Sequence, residues 1–304
     1  MRLPGKFGSR TPFVSSSVHA LALCIAALGI PGVAQAAEAD CPADPRVDAA
    51  ATAWKAHRQQ PPLSIDLKDA TCFRNALLAK LAPELGPLVG YKVGIWSAAA
   101  RATYKVDGPL VGMLYRDMMI PEGKPVSVSS AFAPLVEADF LVVIGDAGIN
   151  QARTREEAYR HIRGYRPFIE IPDNHYPAPV TPDAGRVAAF NVIARSGIMG
   201  AEVALPQTPA GFAALAGLKV DTVISDPNGT REESAVSAKS LGDPVEIVLA
   251  ARDLLRKEGI ALKAGDVVSL GTLTPAHSPV AGERFTVRYM VGDRTSEISA
   301  AFTP

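Results

Sequence analysis

The stretch Leu135-Val136-Glu137-Ala138-Asp139-Phe140-Leu141-Val142-Val143-Ile144 sets two carboxylates inside an otherwise apolar run. Its length and its branched and aromatic content predict a β-strand. Side chains alternate faces along a strand, so Glu137 and Asp139 project from the same side. A third acid, Glu170, stands in a second apolar run, Pro167-Phe168-Ile169-Glu170-Ile171. Like charges held together in a partly buried sheet are costly unless a cation, a proton or water compensates them. A hard divalent cation is the simplest compensation. The alternative is an edge strand whose polar face carries the acids in water.

Short runs punctuated by Gly and Pro surround this stretch and predict further strands. They span Leu88 to Ile95, Val126 to Val128, Phe168 to Ile171, Gly197 to Leu205, Lys219 to Ser225, Val267 to Leu270 and Phe285 to Met290. Helices are expected at 46–59, at 69–82 with Pro83 and Gly86-Pro87 as the stop, at Arg155 to Arg163, and at Pro244 to Lys257. Asp243 is the expected N-cap of the last, with Pro244 at its first position. Many strands with few intervening helices predict an α+β, predominantly β architecture and argue against a doubly wound parallel sheet. The chain has no internal repeat and no glycine-rich phosphate loop.

The first 36 residues read as a targeting segment. Arg2, Lys6 and Arg10 precede an apolar run, Ala20 to Ile30, too short to span a bilayer, and Ala34-Gln35-Ala36 is a small-residue cleavage site. Residues 1–36 are therefore expected to be a signal peptide, 37–87 a helical lead-in and 88–304 the main β domain. The expected location is the periplasm or the exterior. Without the segment, 28 basic residues face 31 acidic ones. That balance offers no basic patch for nucleic acid, and no second apolar run is long enough for a membrane span. Cys41 and Cys72 remain, and in an oxidising compartment they are expected to pair.

Four features in order are more specific than any one of them: Gly90-Tyr91-Lys92-Val93-Gly94, Glu137-Ala138-Asp139, Phe168-Ile169-Glu170-Ile171, and Gly265-Asp266-Val267-Val268-Ser269-Leu270-Gly271-Thr272-Leu273-Thr274 followed by Pro279-Val280-Ala281-Gly282-Glu283-Arg284-Phe285. From about residue 46 to the C-terminus the chain resembles the fumarylacetoacetate hydrolase superfamily, in its branch of 2-keto-4-pentenoate hydratases and 4-oxalocrotonate decarboxylases. The resemblance implies a mixed β-roll with surrounding helices, and Mg2+ or Mn2+ held by Glu137, Asp139 and Glu170. The family usually has Glu-x-Glu where this chain has Glu137-Ala138-Asp139. Asp is one methylene shorter yet still a hard oxygen donor.

The resemblance also implies that Lys92 points into the site, as a cation for the substrate carboxylate or as a proton-transfer group. It places Asn191, Thr274 and His277 at the substrate, and sets His175, after Asp173, where relatives have arginine. Phe190 and Ile193 stand where the family carries an acid and a hydroxyl, which makes the expected pocket more apolar. The implied activity is hydration of a 2-oxo or 2-hydroxy-dienoic acid through a metal-stabilised enolate. Alternatives are a decarboxylase, a β-diketone hydrolase, or a non-catalytic periplasmic binding protein of the same fold. The hydrolase needs a His-Glu pair, and none is legible near His57. The expected partner is a small 2-oxo acid, and the expected assembly at least a homodimer.

Overall fold

The structure is a computed structural model and describes residues 41–176 and 183–304. The expected signal peptide lies outside the described residues. In chain order the elements are α1 (Arg46–Lys55), α2 (Leu67–Leu85), β1 (Leu88–Gly94), α3 (Ala98–Tyr104), β2 (Leu110–Tyr115), β3 (Met119–Pro121), β4 (Val126–Ser127), β5 (Glu137–Ile144), α4 (Arg155–Tyr159), β6 (Ile162–Ile171), α5 (Ala184–Ala189), β7 (Ser196–Met199), β8 (Val203–Ala204), α6 (Pro209–Ala216), β9 (Lys219–Asp226), β10 (Gly229–Val236), α7 (Ser237–Ser240), α8 (Pro244–Lys257), β11 (Val267–Ser269), β12 (Arg284–Val291) and β13 (Arg294–Thr303).

Two sheets organise them. The first runs β2-β1-β11-β5-β6-β7-β3, with β8 beside β6. It is mixed: β1 with β11 and β3 with β7 are parallel, the other pairs antiparallel. The second, β10-β9-β12-β13-β4, is antiparallel except at β13 and β4. This is the expected α+β architecture with a predominance of strands. Every residue of β5 is buried, because it lies between β11 and β6 and is covered on both faces. The edge-strand alternative therefore falls, and the acids stand in the core.

Some boundaries differ from expectation. Helix α2 continues past Pro83 to Leu85, since buried Leu81 and Leu85 anchor its last turn, and it stops at Gly86, whose φ is 68°. Helix α4 ends at Tyr159, short of Arg163, and β6 begins at Ile162. The alternating burial of Ile162, Arg163 and Gly164 suits a strand, and the outward Arg163 pairs with Glu202. The run Gly197 to Leu205 divides into β7 and β8, which both pair with β6. The caps of α8 are as read: the Asp243 side chain accepts from Val245 N–H, with Pro244 at the first turn. Cys41 and Cys72 form a disulfide, which ties the chain before α1 to α2.

Candidate active site

Strand register brings the acids together. Glu137 on β5 stands directly opposite Glu170 on β6, and Asp139 lies two residues along on the same face. Directly opposed like charges destabilise a sheet, so this rung needs compensation. On the other flank of β5, β11 pairs Ser269 with Leu141, and β1 pairs Lys92 with Ser269. That register carries Lys92 and Ser269 onto the carboxylate face. Lys92 Nζ lies 2.6 Å from Glu170 Oε1. The Ser269 hydroxyl donates to Asp139 Oδ2, and Phe140 N–H donates to Asp139 Oδ1 over 2.6 Å.

All four charged groups are buried. Three carboxylates against one ammonium carry a formal charge of about −2 when all are ionised. Burial, reinforced by the Glu170 charge, pushes Glu137 up to about 8 against the pull of Lys92. The same causes push Asp139 up to about 8 in spite of the hydrogen bonds from Ser269 and Phe140. Burial works against the Lys92 ammonium, yet the surrounding Glu170, Glu137 and Asp139 outweigh it and raise its pKa. Lys92 is therefore held charged.

The donor set fits a hard divalent cation. Its oxygens are carboxylates, its charge deficit is two once all three are ionised, and buried Glu170 Oε2 has no hydrogen-bond partner. The cage is not closed as it stands: among the described residues no three His, Cys, Asp or Glu side chains already converge on one ligating point. Glu170 Oε1 is engaged by Lys92, and Oε2 is the atom left to accept a cation.

Lys92 and Glu137 open onto a cleft of about 400 Å3, lined otherwise by apolar residues and uncharged hydroxyls. Three β-branched lining residues, Ile95, Val192 and Ile193, have φ near +54°. Such residues rarely enter the left-handed region, at about 1–3 kcal/mol each, and persist only where the surroundings impose it. Here the surroundings are legible. Asn191 begins the turn, and its side-chain amide accepts from Met113 N–H at 2.6 Å and donates to Met113 O at 2.8 Å. Gly94 and Gly112 admit the turn against the sheet. A Cβ on Gly94 would stand 2.2 Å from Val192 Cγ1, and one on Gly112 would stand 2.6 Å from Asn191 O.

The structure thus unites Lys92, Glu137, Asp139 and Glu170 and separates the other sequence candidates from them. The Asn191 amide is spent on Met113, and its neighbours Val192 and Ile193 line the cleft instead. Thr274 is buried with an unpartnered hydroxyl, while Thr272, whose hydroxyl donates to Thr274 O, reaches the lining. His277 is not among the lining residues. Its backbone pairs with Val136, and its Nε2 lies 2.7 Å from Glu283 Oε1. This is a His-Glu pair away from His57 and outside the cleft lining; His57 itself is exposed, with its ring against Ser129 O. His175 packs on Phe190, 5.2 Å between ring centres, and burial depresses it to about 4. Its charged neighbour is Asp173, not the carboxylate cluster.

Sequence reasoning missed Ser269 and Tyr289. Ser269 sat in a quoted motif as one hydroxyl among apolar strand residues, which was a signal. Tyr289 carried none. It reaches from β12 in the second sheet, and its buried hydroxyl lies 2.7 Å from both Asp139 O and Phe168 O, inside the rung next to the acids. Which strand of one sheet lies over which rung of another is not written in local pattern.

Fold and site define a class: a mixed-sheet protein with a buried carboxylate and lysine cluster at one end of an apolar cleft. The chain belongs to the fumarylacetoacetate hydrolase family, since residues 92–298 match the model described as fumarylacetoacetate (FAA) hydrolase C-terminal. It is 30% identical over 211 residues to 2-keto-4-pentenoate hydratase 2 of Dechloromonas aromatica (strain RCB), covering 66% of this chain and 73% of that one. It is 27% identical over 202 residues to 4-oxalocrotonate decarboxylase of Pseudomonas putida, covering 66% and 74%. The solved 4-oxalocrotonate decarboxylase from Pseudomonas putida G7, complexed with magnesium and adipate, shares the fold. Its TM-score is 0.65 at 24% identity, over 78% of this chain and 86% of that one.

Proposed function

We propose that this chain is a lyase, a hydratase that adds water to a 2-oxo or 2-hydroxy-dienoic acid with the help of a divalent cation, Mg2+ or Mn2+. The observation that carries the reading is the buried cluster of Glu137, Asp139 and Glu170. Fully ionised it is two charges short of neutrality, and its Glu137 and Lys92 open onto a ligand-sized cleft. The likeness to a 2-keto-4-pentenoate hydratase supports hydration ahead of decarboxylation, which the same site chemistry would also serve.

Glu137, Asp139 and Glu170 would hold the cation, with Ser269 and Phe140 N–H orienting Asp139. When bound, the ion supplies Lewis acidity to the 2-oxo group and its neighbouring carboxylate. Lys92, held charged, sets a cation against the anionic end of the substrate and is the group placed to give a proton to the carbon chain. The apolar wall of Ile95, Val192 and Ile193 limits water around the reacting carbons.

Export to the periplasm or beyond is part of the proposal. It is supported by the sequence pattern of residues 1–36 and by the Cys41–Cys72 disulfide, which suits an oxidising compartment. An assembly of at least two chains is proposed from the family resemblance, and sedimentation of the purified protein measures it. A fractionated culture should yield the protein in the periplasm or medium with an N-terminus near Ala37.

The central test is calorimetric titration of Mn2+ into metal-stripped protein, with and without oxalate as an enolate mimic, with Glu170→Ala as control. Saturable binding, tightened by oxalate and lost in the variant, is expected, together with consumption of 2-hydroxypenta-2,4-dienoate by the loaded protein. Absence of Mn2+ binding sinks the metalloenzyme reading. Tight ligand binding without turnover makes the chain a binding protein on an enzyme's fold.

A further inference from the structure

The cleft has two chemically different ends. Among the described residues that line it, Lys92 is the one cation and Glu137 the one carboxylate, and both stand at the same end. Away from them the wall is mainly Ile95, Trp96, Val192, Ile193 and Leu241, with the uncharged hydroxyls of Ser97, Tyr104, Ser240 and Thr272. Trp96 is fixed in that wall, since its indole N–H donates to Leu241 O at 2.6 Å. The left-handed turn at 191–193 is latched to Met113 through Asn191 and seated over Gly94 and Gly112. A strained turn that a side-chain latch and two glycines hold in place is a built feature of the site. What it presents to the cleft is two branched aliphatic side chains.

We propose that the cleft selects a 2-oxo acid with a single carboxylate and an extended apolar tail, and that Val192 and Ile193 are the residues that set this specificity. The proposal rests on the reading of the Lys92 end as a 2-oxo acid site. A tail carboxylate would find no counter-charge there, only the apolar wall and uncharged hydroxyls, because Lys92 already holds Glu170 Oε1 and no other cation lines the cleft among the described residues. Apolar tails gain by burial on the same wall. The selection is therefore both attraction and exclusion.

The experiment is calorimetric titration of the Mn2+-loaded protein with oxalate, pyruvate, 2-oxoheptanoate and 2-oxoadipate. 2-Oxoheptanoate is expected to bind at least about tenfold more tightly than pyruvate and than 2-oxoadipate. Ile193→Arg places a cation in the wall and is expected to level or reverse the preference between the last two. Unbranched Arg brings no extra strain at φ near +54°, where Ile stands now. Val192→Ala, a smaller change, is expected to weaken 2-oxoheptanoate severalfold while oxalate binding stays unchanged. The proposal is overturned if 2-oxoadipate or pyruvate binds as tightly as 2-oxoheptanoate to the unaltered protein. It is also overturned if Ile193→Arg keeps oxalate binding and the original preference. Failure of oxalate itself to bind removes the 2-oxo acid reading, and the specificity with it, which separates the two failures.

Discussion

Two buried polar clusters lie along and just beyond β6, and they differ in how their needs are met. At Asp173 the carboxylate accepts from Phe132 N–H at 3.2 Å and Ala133 N–H at 2.9 Å. Nearby Arg195 donates to Trp54 O and Ser130 O, and its guanidinium stacks 3.7 Å from the Trp54 ring centre. His175, depressed to about 4 by burial, stays neutral, and its Nδ1 is unpartnered at 3.4 Å from Asp173 Oδ2. The cluster of Glu137, Asp139 and Glu170 has instead one ammonium for three acids. In the first cluster each ionised group is met by backbone or ring partners. In the second the acids outnumber their one cation, and a divalent ion would relieve that imbalance.

Substitutions at each cluster break or sharpen this contrast. Lys92→Gln has the largest expected effect: turnover of the dienoate falls by about 10^2–10^4. Mn2+ binding survives it, because the ammonium competing for Glu170 is gone. A variant that keeps its rate would remove Lys92 from the chemistry. Glu170→Gln should weaken Mn2+ by at least about 100-fold in calorimetry. It should change the urea midpoint of the metal-stripped protein little, since Glu137 or Asp139 can ionise beside Lys92 once the Glu170 charge is gone. Asp173→Ala is the mirror case, with a stability loss of about 3 kcal/mol in urea and unaltered Mn2+ stoichiometry. Equal behaviour of the two variants would erase the distinction.

The pH dependence follows from the raised carboxylates. Glu137 and Asp139 keep protons in the folded state up to about 8 but lose them near 4 when unfolded. Between those values the folded state binds more protons, so the stability of metal-stripped protein falls as pH rises, and it levels off above about 8. Urea unfolding at pH 5 and pH 8 checks the sign, and saturating Mn2+ should flatten the slope by replacing the protons. The smallest expected effect is that of Ser269→Ala, about tenfold in Mn2+ affinity, through loss of the donor that orients Asp139.

Much of this was legible in the chain. Period-two alternation placed Glu137 and Asp139 on one face, and the order of the four motifs pointed to the family. The pairing of β5 with β6 then set Glu170 against Glu137. The polar candidates beyond that were read from position in a motif, and there the reading weakened. Position does not say whether an amide is already spent, as Asn191 is on Met113, or which hydroxyl of Thr272 and Thr274 faces a cleft. Strands β2, β10 and β13, with the three-residue β3, went unread for a related reason. Exposed β10 and the small or charged residues of β13 give little local apolar signal, and the hydrophobic run of β2 gains its meaning from β1 beside it.

By itself the sequence determined the alternation of strand faces, the acids carried on them, the cap of α8 and the family pattern, because each depends on residues near one another along the chain. Only the tertiary structure decided that β5 is interior, that Lys92 and Ser269 arrive across β11, and that Tyr289 enters the neighbouring rung from another sheet. Those depend on which distant segments share a ladder or a face. Burial follows from that assembly, and it is burial that turns three ordinary carboxylates into a cluster in need of a cation.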